Sequence, residues 1–121
     1  MREHEAWRVV RYVEQNPVRA GMVGRAEDYV WSSARAHLGA PDQWELLELE
    51  RWRRDWSVAD WARALAETPR PQEVGDIREA TWRGRPFGSP EFVKQLETQL
   101  GRRIGPGKVG RPRKLSAAGA A

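Results

Sequence analysis

Glycine and proline cut this chain into short lengths, and between the cuts apolar residues recur at the three-to-four spacing of amphipathic helices. Ser89, Pro90 and Glu91 form the sharpest start signal, with a serine cap, a proline at the first helical position and an acid in the first turn. Phe92, Val93 and Leu96 then share one face, and Gly101 is the expected stop. Ser57 plays the same part for a helix over 58–67, with Asp60 three positions on and Thr68-Pro69 closing it. Pro71 sits near the start of a further helix that reaches about Trp82 before Gly84 breaks it. Near the start of the chain, Trp7, Val9, Val10 and Val13 give a helix over 3–16 an apolar face, and Pro17 should stop or kink it. Residues 18–22 add a short turn closed by Gly21 or Gly24. Another helix is expected from about residues 26–31 through Leu38, capped by Asp28 or Ser32 and stopped by Gly39 and Pro41.

No stretch alternates at the period of a strand for a useful length, so the expected class is mainly α, a small domain of about five helices. Three regions follow: 1–40, a Trp-rich helical region over 41–101, and a Gly- and Pro-rich flexible tail over 102–121. With 121 residues there is room for one modest core. Seven tryptophans supply much of its bulk, and Trp44, Leu47, Trp52 and Trp56 are the expected anchors from the acidic stretch 42–55, whose helical content the pattern leaves open. The absence of cysteine excludes both a disulfide framework and a thiolate metal site. The first 15 residues lack the apolar run of a signal peptide and no window resembles a membrane span, so a cytoplasmic protein without a membrane partner is expected.

Charge is unevenly spread. Arg102, Arg103, Lys108, Arg111, Arg113 and Lys114 follow the last acid, Glu97, whereas the body before them is nearly balanced. A dense cationic segment on a neutral body points to a polyanion, with nucleic acid the first candidate.

Four blocks, taken in order, carry more information than composition does. They are RYVEQNPVRAGMV at 11–23, EDYVWSSARAHLG at 27–39, GRPFGSPEFVKQLE at 84–97 and GRPRK at 110–114. On spacing alone, a tyrosine such as Tyr12 on a half-apolar helix is a packed core or rim residue. As a set, however, the blocks resemble the C-terminal part of REP-associated tyrosine transposases, relatives of insertion-sequence enzymes that cut and rejoin single-stranded DNA. The resemblance covers about residues 7–114. It implies that Tyr12 is the inherited nucleophile, whose phenolate would attack a DNA phosphodiester to give a 5′-phosphotyrosyl intermediate and a free 3′-hydroxyl.

Such chemistry needs electrostatic help, which a divalent cation, Mg²⁺ or Mn²⁺ in the intact family enzyme, can supply on the scissile phosphate. The resemblance implies that an amide four residues after the tyrosine joins the metal site; Asn16 stands there, on the same helical face as Tyr12. Its plainer reading is a helix-ending residue before Pro17. The family's remaining metal ligands are two histidines flanking one hydrophobic residue, and this sequence holds only His4 and His37, in no such arrangement. His4 reads as solvated and His37 as a helix-end residue. The expectation is therefore a truncated transposase-like protein that binds DNA, holds no metal stably and is inactive alone. A homodimer or a complementing N-terminal fragment are the further partners implied.

Around the tyrosine, Arg11 and Arg19 are candidates for phosphate contacts, with solvated helix charges as the alternative. Lys108, Arg111, Arg113 and Lys114 surround a Gly-Arg-Pro core that is similar to an AT-hook, which lays arginines in a narrow minor groove. The competing function is thus a non-enzymatic DNA-binding module working through that tail. A helix-turn-helix reading of residues 72–100 is weaker, since Lys94, Gln95, Thr98 and Gln99 offer little for base reading.

Overall fold

A computed structural model describes residues 3–105, 107, 110 and 111. Its elements are α1 (Glu3–Arg19), a 3-10 turn (Ala26–Asp28), α2 (Ala34–His37), α3 (Leu49–Asp55), α4 (Val58–Ala66), α5 (Pro71–Trp82) and α6 (Pro90–Leu100), with no strand among the described residues. The chain is mainly α, as its periodicity indicates, and no helix among the described residues is long and apolar enough to cross a membrane. The expected flexible tail lies largely outside the described residues.

The capping signals act locally, and the structure follows them closely. Ser57 Oγ accepts from the Asp60 amide at 3.1 Å, and Ser89 Oγ accepts from the Phe92 amide at 3.2 Å, each filling a donor that the first helical turn leaves free. Pro71 and Pro90 occupy first-turn positions, where a missing N–H costs nothing. Gly101 closes α6 at φ 63°, a left-handed angle that favours glycine. At Gly88 the limit is space: a Cβ there would meet the Phe92 ring at 2.5 Å.

Three expectations are corrected. Helix α1 does not end before Pro17 but runs through it to Arg19. The proline sits in the last turn, where it removes one backbone bond, and the Arg19 guanidinium donates back to the Tyr12 carbonyl and the Asn16 side chain. The helix expected across 26–38 divides into the 3-10 turn and the single turn of α2. Tyr29, Val30 and Trp31 are poor helix formers, and Ser32 Oγ instead takes the Ala34 amide at 3.1 Å. Trp44 is not a core anchor but 72% exposed. Asp42 accepts from the Leu47 amide at 2.9 Å, and its carbonyl accepts from the Glu45 amide at 3.0 Å, forming a turn with Trp44 at its outer edge.

The core gathers Ala26, Ala34, Trp52, Trp61 and Leu65, with Trp7, Val10, Leu38 and Trp56 packed around them. Indoles set its geometry: Trp61 meets Trp52 and Trp56 edge to face, with ring centroids 6.1 and 4.8 Å apart. Among these rings lies a carboxyl group. Glu14, 1% exposed, accepts from Trp61 Nε1 at 2.8 Å and from Ser33 Oγ at 2.6 Å, and pairs with His37 Nδ1. The His37 ring in turn stacks on Trp52 at 5.0 Å.

Neighbouring residues of α1 make further joints. Gln15 Nε2 donates to the Leu65 and Glu67 carbonyls, both at 3.0 Å, satisfying acceptors that the end of α4 leaves open. Trp7 Nε1 donates to Asp55 at 2.6 Å, and Arg8 pairs with Glu73 at 3.0 Å. Helix α1 is thereby tied to α3, α4 and α5.

Replacing Glu14 with alanine leaves three polar groups in the core without their acceptor. We expect a loss of about 3 kcal/mol in urea denaturation for Glu14→Ala, against about 1 kcal/mol for Ser33→Ala, which deletes one donor alone. Acid should act at the end of α6. The Gly105 and Ile104 amides donate to Glu97 and hold its carboxyl below the ordinary glutamate range. A depressed folded-state value means that this tie is present at neutral pH and is lost as pH falls through the lowered value. The Ile104 and Gly105 amide resonances should therefore titrate below an ordinary glutamate, and that transition should vanish in Glu97→Gln.

Candidate functional site

Tyr12 lies on the part of α1 that meets α5, two residues before the buried carboxyl of Glu14. Burial of Ile77 on α5 sets the next residue, Arg78, beside α1. Arg78 Nε donates to the Tyr12 hydroxyl at 3.3 Å, a long bond that joins residues 66 positions apart. From the end of α1, Arg19 folds back along its own helix, with its guanidinium carbon 4.1 Å from the centre of the Tyr12 ring. That is cation–π distance. The phenol is thus held between two guanidinium groups, one at its oxygen and one over its face.

Electrostatics distinguishes Arg19 from an ordinary surface charge. Burial lowers the basicity of Arg19 from its usual value, and the positive charge of Arg78 pushes the same way, while Tyr12 opposes both. Arg19 Nε and Nη1 are buried without a hydrogen-bond partner among the described residues. Two like charges close enough to sense one another make a place where an anion is stabilised.

The other sequence candidates fall in different places. Arg11 is half-buried and turns to the end of α4, donating to the Glu67 carbonyl at 3.3 Å and pairing with the Glu67 carboxylate at 3.7 Å. Arg19 belongs to the tyrosine cluster. Asn16 is exposed, and its side-chain oxygen accepts from Arg19. Arg111 is exposed, whereas Lys108, Arg113 and Lys114 lie outside the described residues. The side chain of His4 also lies outside them, and His37 is buried against Glu14.

A divalent cation does not suit this donor set. The groups around Tyr12 are the Asn16 amide, already taken by Arg19, guanidinium groups that repel a cation, and a single carboxylate, Glu73, paired with Arg8. Among the described residues no three His, Cys, Asp or Glu side chains cluster as metal ligands would. Hard divalent ions need several oxygen ligands, usually including carboxylates. The arrangement suits a phosphate oxygen instead, which guanidinium groups bind through charge-assisted hydrogen bonds.

Sequence reasoning did not find Arg78 or Glu14. For Arg78 the signal was slight: it lies four residues after Val74 and one after Ile77, at the border of the buried face of α5. For Glu14 there was no signal in its own segment, because a charged residue in a helical pattern is ordinarily assigned to solvent.

No protein-family model, curated protein or solved structure matches the chain. Tyr12→Phe removes the acceptor for Arg78 and leaves the ring under Arg19. If the phenol serves a ligand rather than the fold, that substitution should shift stability by no more than about 1 kcal/mol in urea denaturation.

Proposed function

We propose that this chain is a DNA-binding protein, related to the strand-cutting tyrosine transposases, that seats a backbone phosphate of single-stranded DNA at Tyr12, Arg19 and Arg78. The observation that carries the reading is the bond from Arg78 to the Tyr12 hydroxyl with Arg19 across the ring. Two cations beside the tyrosine that the resemblance makes a nucleophile support a phosphate at this position. A phosphodiester carries one negative charge, and the two guanidinium groups offer N–H donors directed at one small region.

The same constellation argues against self-sufficient cleavage. Attack by a phenol on a phosphodiester requires stabilisation of charge on the phosphoryl oxygens and on the leaving oxygen. The two arginines can serve the first need. For the second, the described neighbours of Tyr12 offer one carboxylate, Glu73, which is already paired with Arg8. Binding without turnover is the function that these residues support.

Fluorescence anisotropy with a labelled single-stranded hairpin tests both statements. Arg78→Ala and Arg19→Ala should each weaken binding across all sequences and lower the slope of log affinity against log salt by about 1. Tyr12→Phe should leave affinity within about twofold, because the phenol adds no charge to the seat. Unchanged affinity in both arginine variants would remove the basis of the proposal. A covalent protein–DNA adduct formed with Mg²⁺ or Mn²⁺ and absent in Tyr12→Phe would show that the chain cleaves on its own.

A further inference from the structure

Three indoles are highly exposed among the described residues; Trp82, at 91%, lines neither of the grooves described below, and the other two are Trp31 and Trp44. Trp31 is 85% exposed and Trp44 72%, although the core is built largely of the same residue type. They face a common groove of about 610 Å³, whose walls also include Val30, Arg35, Gln43 and Leu46. Trp31 also lines a second groove, of about 430 Å³, that begins at Val13 and Asn16 on α1 and passes Met22 and Tyr29. Asn16 is held by Arg19, the residue that covers the Tyr12 ring. The two grooves share Trp31, Ser32 and Ser33, and Asn16, through its bond to Arg19, joins the first of them to the phosphate seat, which gives a track from Arg19 and Asn16 to Trp31 and then Trp44.

We propose that this track is a stacking surface for unpaired nucleobases, with Trp31 as its first platform and Trp44 as its second. The inference rests on the reading of Tyr12, Arg19 and Arg78 as the phosphate seat. An indole in solvent offers a flat apolar face of the size of a base, and stacking on it is insensitive to sequence because every base has such a face. Trp31 and Trp44 are set apart from other exposed apolar side chains by lining one groove together. The cations of the track suit a nucleic acid strand, and the one acid lining the two grooves, Asp42, is engaged by the Leu47 amide. Arg19 stands at one end, and Arg35 lines the other groove, with Nε on the Glu27 carbonyl and its side chain exposed. Ser32 and Gln43 add side-chain donors and acceptors along the same walls, suited to the polar edges of bases. A strand whose phosphate rests on Arg19 and Arg78 would continue over Asn16 and lay its next bases on Trp31 and Trp44.

The track predicts a preference that phosphate binding alone does not. Anisotropy should compare the full chain on a labelled single strand with the chain on the same strand made abasic at every position. The base-bearing strand should bind about tenfold tighter. Trp31→Ala should abolish most of that preference, Trp44→Ala part of it, and Trp31→Phe should retain it. Arg78→Ala should weaken both strands alike. Equal binding of the two strands by the unsubstituted chain overturns the stacking surface while leaving the phosphate seat in place. Failure to bind either strand removes both. Sedimentation separates another occupant: a dimer that Trp31→Ala dissociates, with the base preference intact, assigns the track to a second copy of the chain and overturns the proposal. Because Trp31 and Trp44 lie at the surface, their substitution should leave the unfolding midpoint unchanged.

Discussion

A carboxyl group in a core of indoles has to be satisfied completely or it destabilises the fold, and Glu14 meets that condition through three donors from two other parts of the chain. Ser33 precedes α2, His37 ends it, and Trp61 lies on α4. None of these donors reaches Glu14 unless its own segment is in place. The requirement makes α1 an axis around which the remaining elements are fixed, and it explains how a segment as short as α2 keeps a defined position. His37 adds to this, since its ring also stacks on Trp52 from α3.

The exposed chemistry follows from the buried one. Anchoring Glu14 inward fixes the rotation of α1, and on a helix that rotation decides which residues face out. Gln15 and Arg11 then point to the end of α4, while Tyr12 faces α5 and Arg78. The tyrosine therefore owes its place to a hydrogen-bond network with which it shares no atom. Such remote support is common where a functional group must be held within a fraction of an ångström by a shell of packed residues.

Local signals in the sequence were legible because their physics is local. Ser57 and Ser89 cap the helices that their spacing indicates, Pro71 and Pro90 open them, and Gly101 closes the last, each effect being settled within four residues. Where tertiary contacts decide, the pattern was silent or misleading. Pro17 was expected to end α1, but the helix runs past it, with the Ala20 amide on the Asn16 carbonyl and the Met22 amide on the Pro17 carbonyl, both at 2.9 Å. Trp44 was assigned to the core by its type, yet a carboxylate-capped turn sets it outside. In the candidate site the motif pointed to Tyr12, Asn16 and Arg19, which come from one helix. Arg78 comes from 66 residues away, and no spacing rule spans that distance.

Pro17 also has a bearing on how the surface would respond to an occupant. By deleting an amide donor in the last turn of α1, it leaves the Val13 carbonyl without its usual helical partner, while the Arg19 guanidinium bonds the Tyr12 carbonyl one residue earlier. The same guanidinium covers the phenol and holds Asn16. Helix end and ligand therefore draw on one side chain. An anion that turned Arg19 toward itself would release the Tyr12 carbonyl, the face of the phenol and the Asn16 side chain together, so that filling the site and rearranging this surface of α1 are one event.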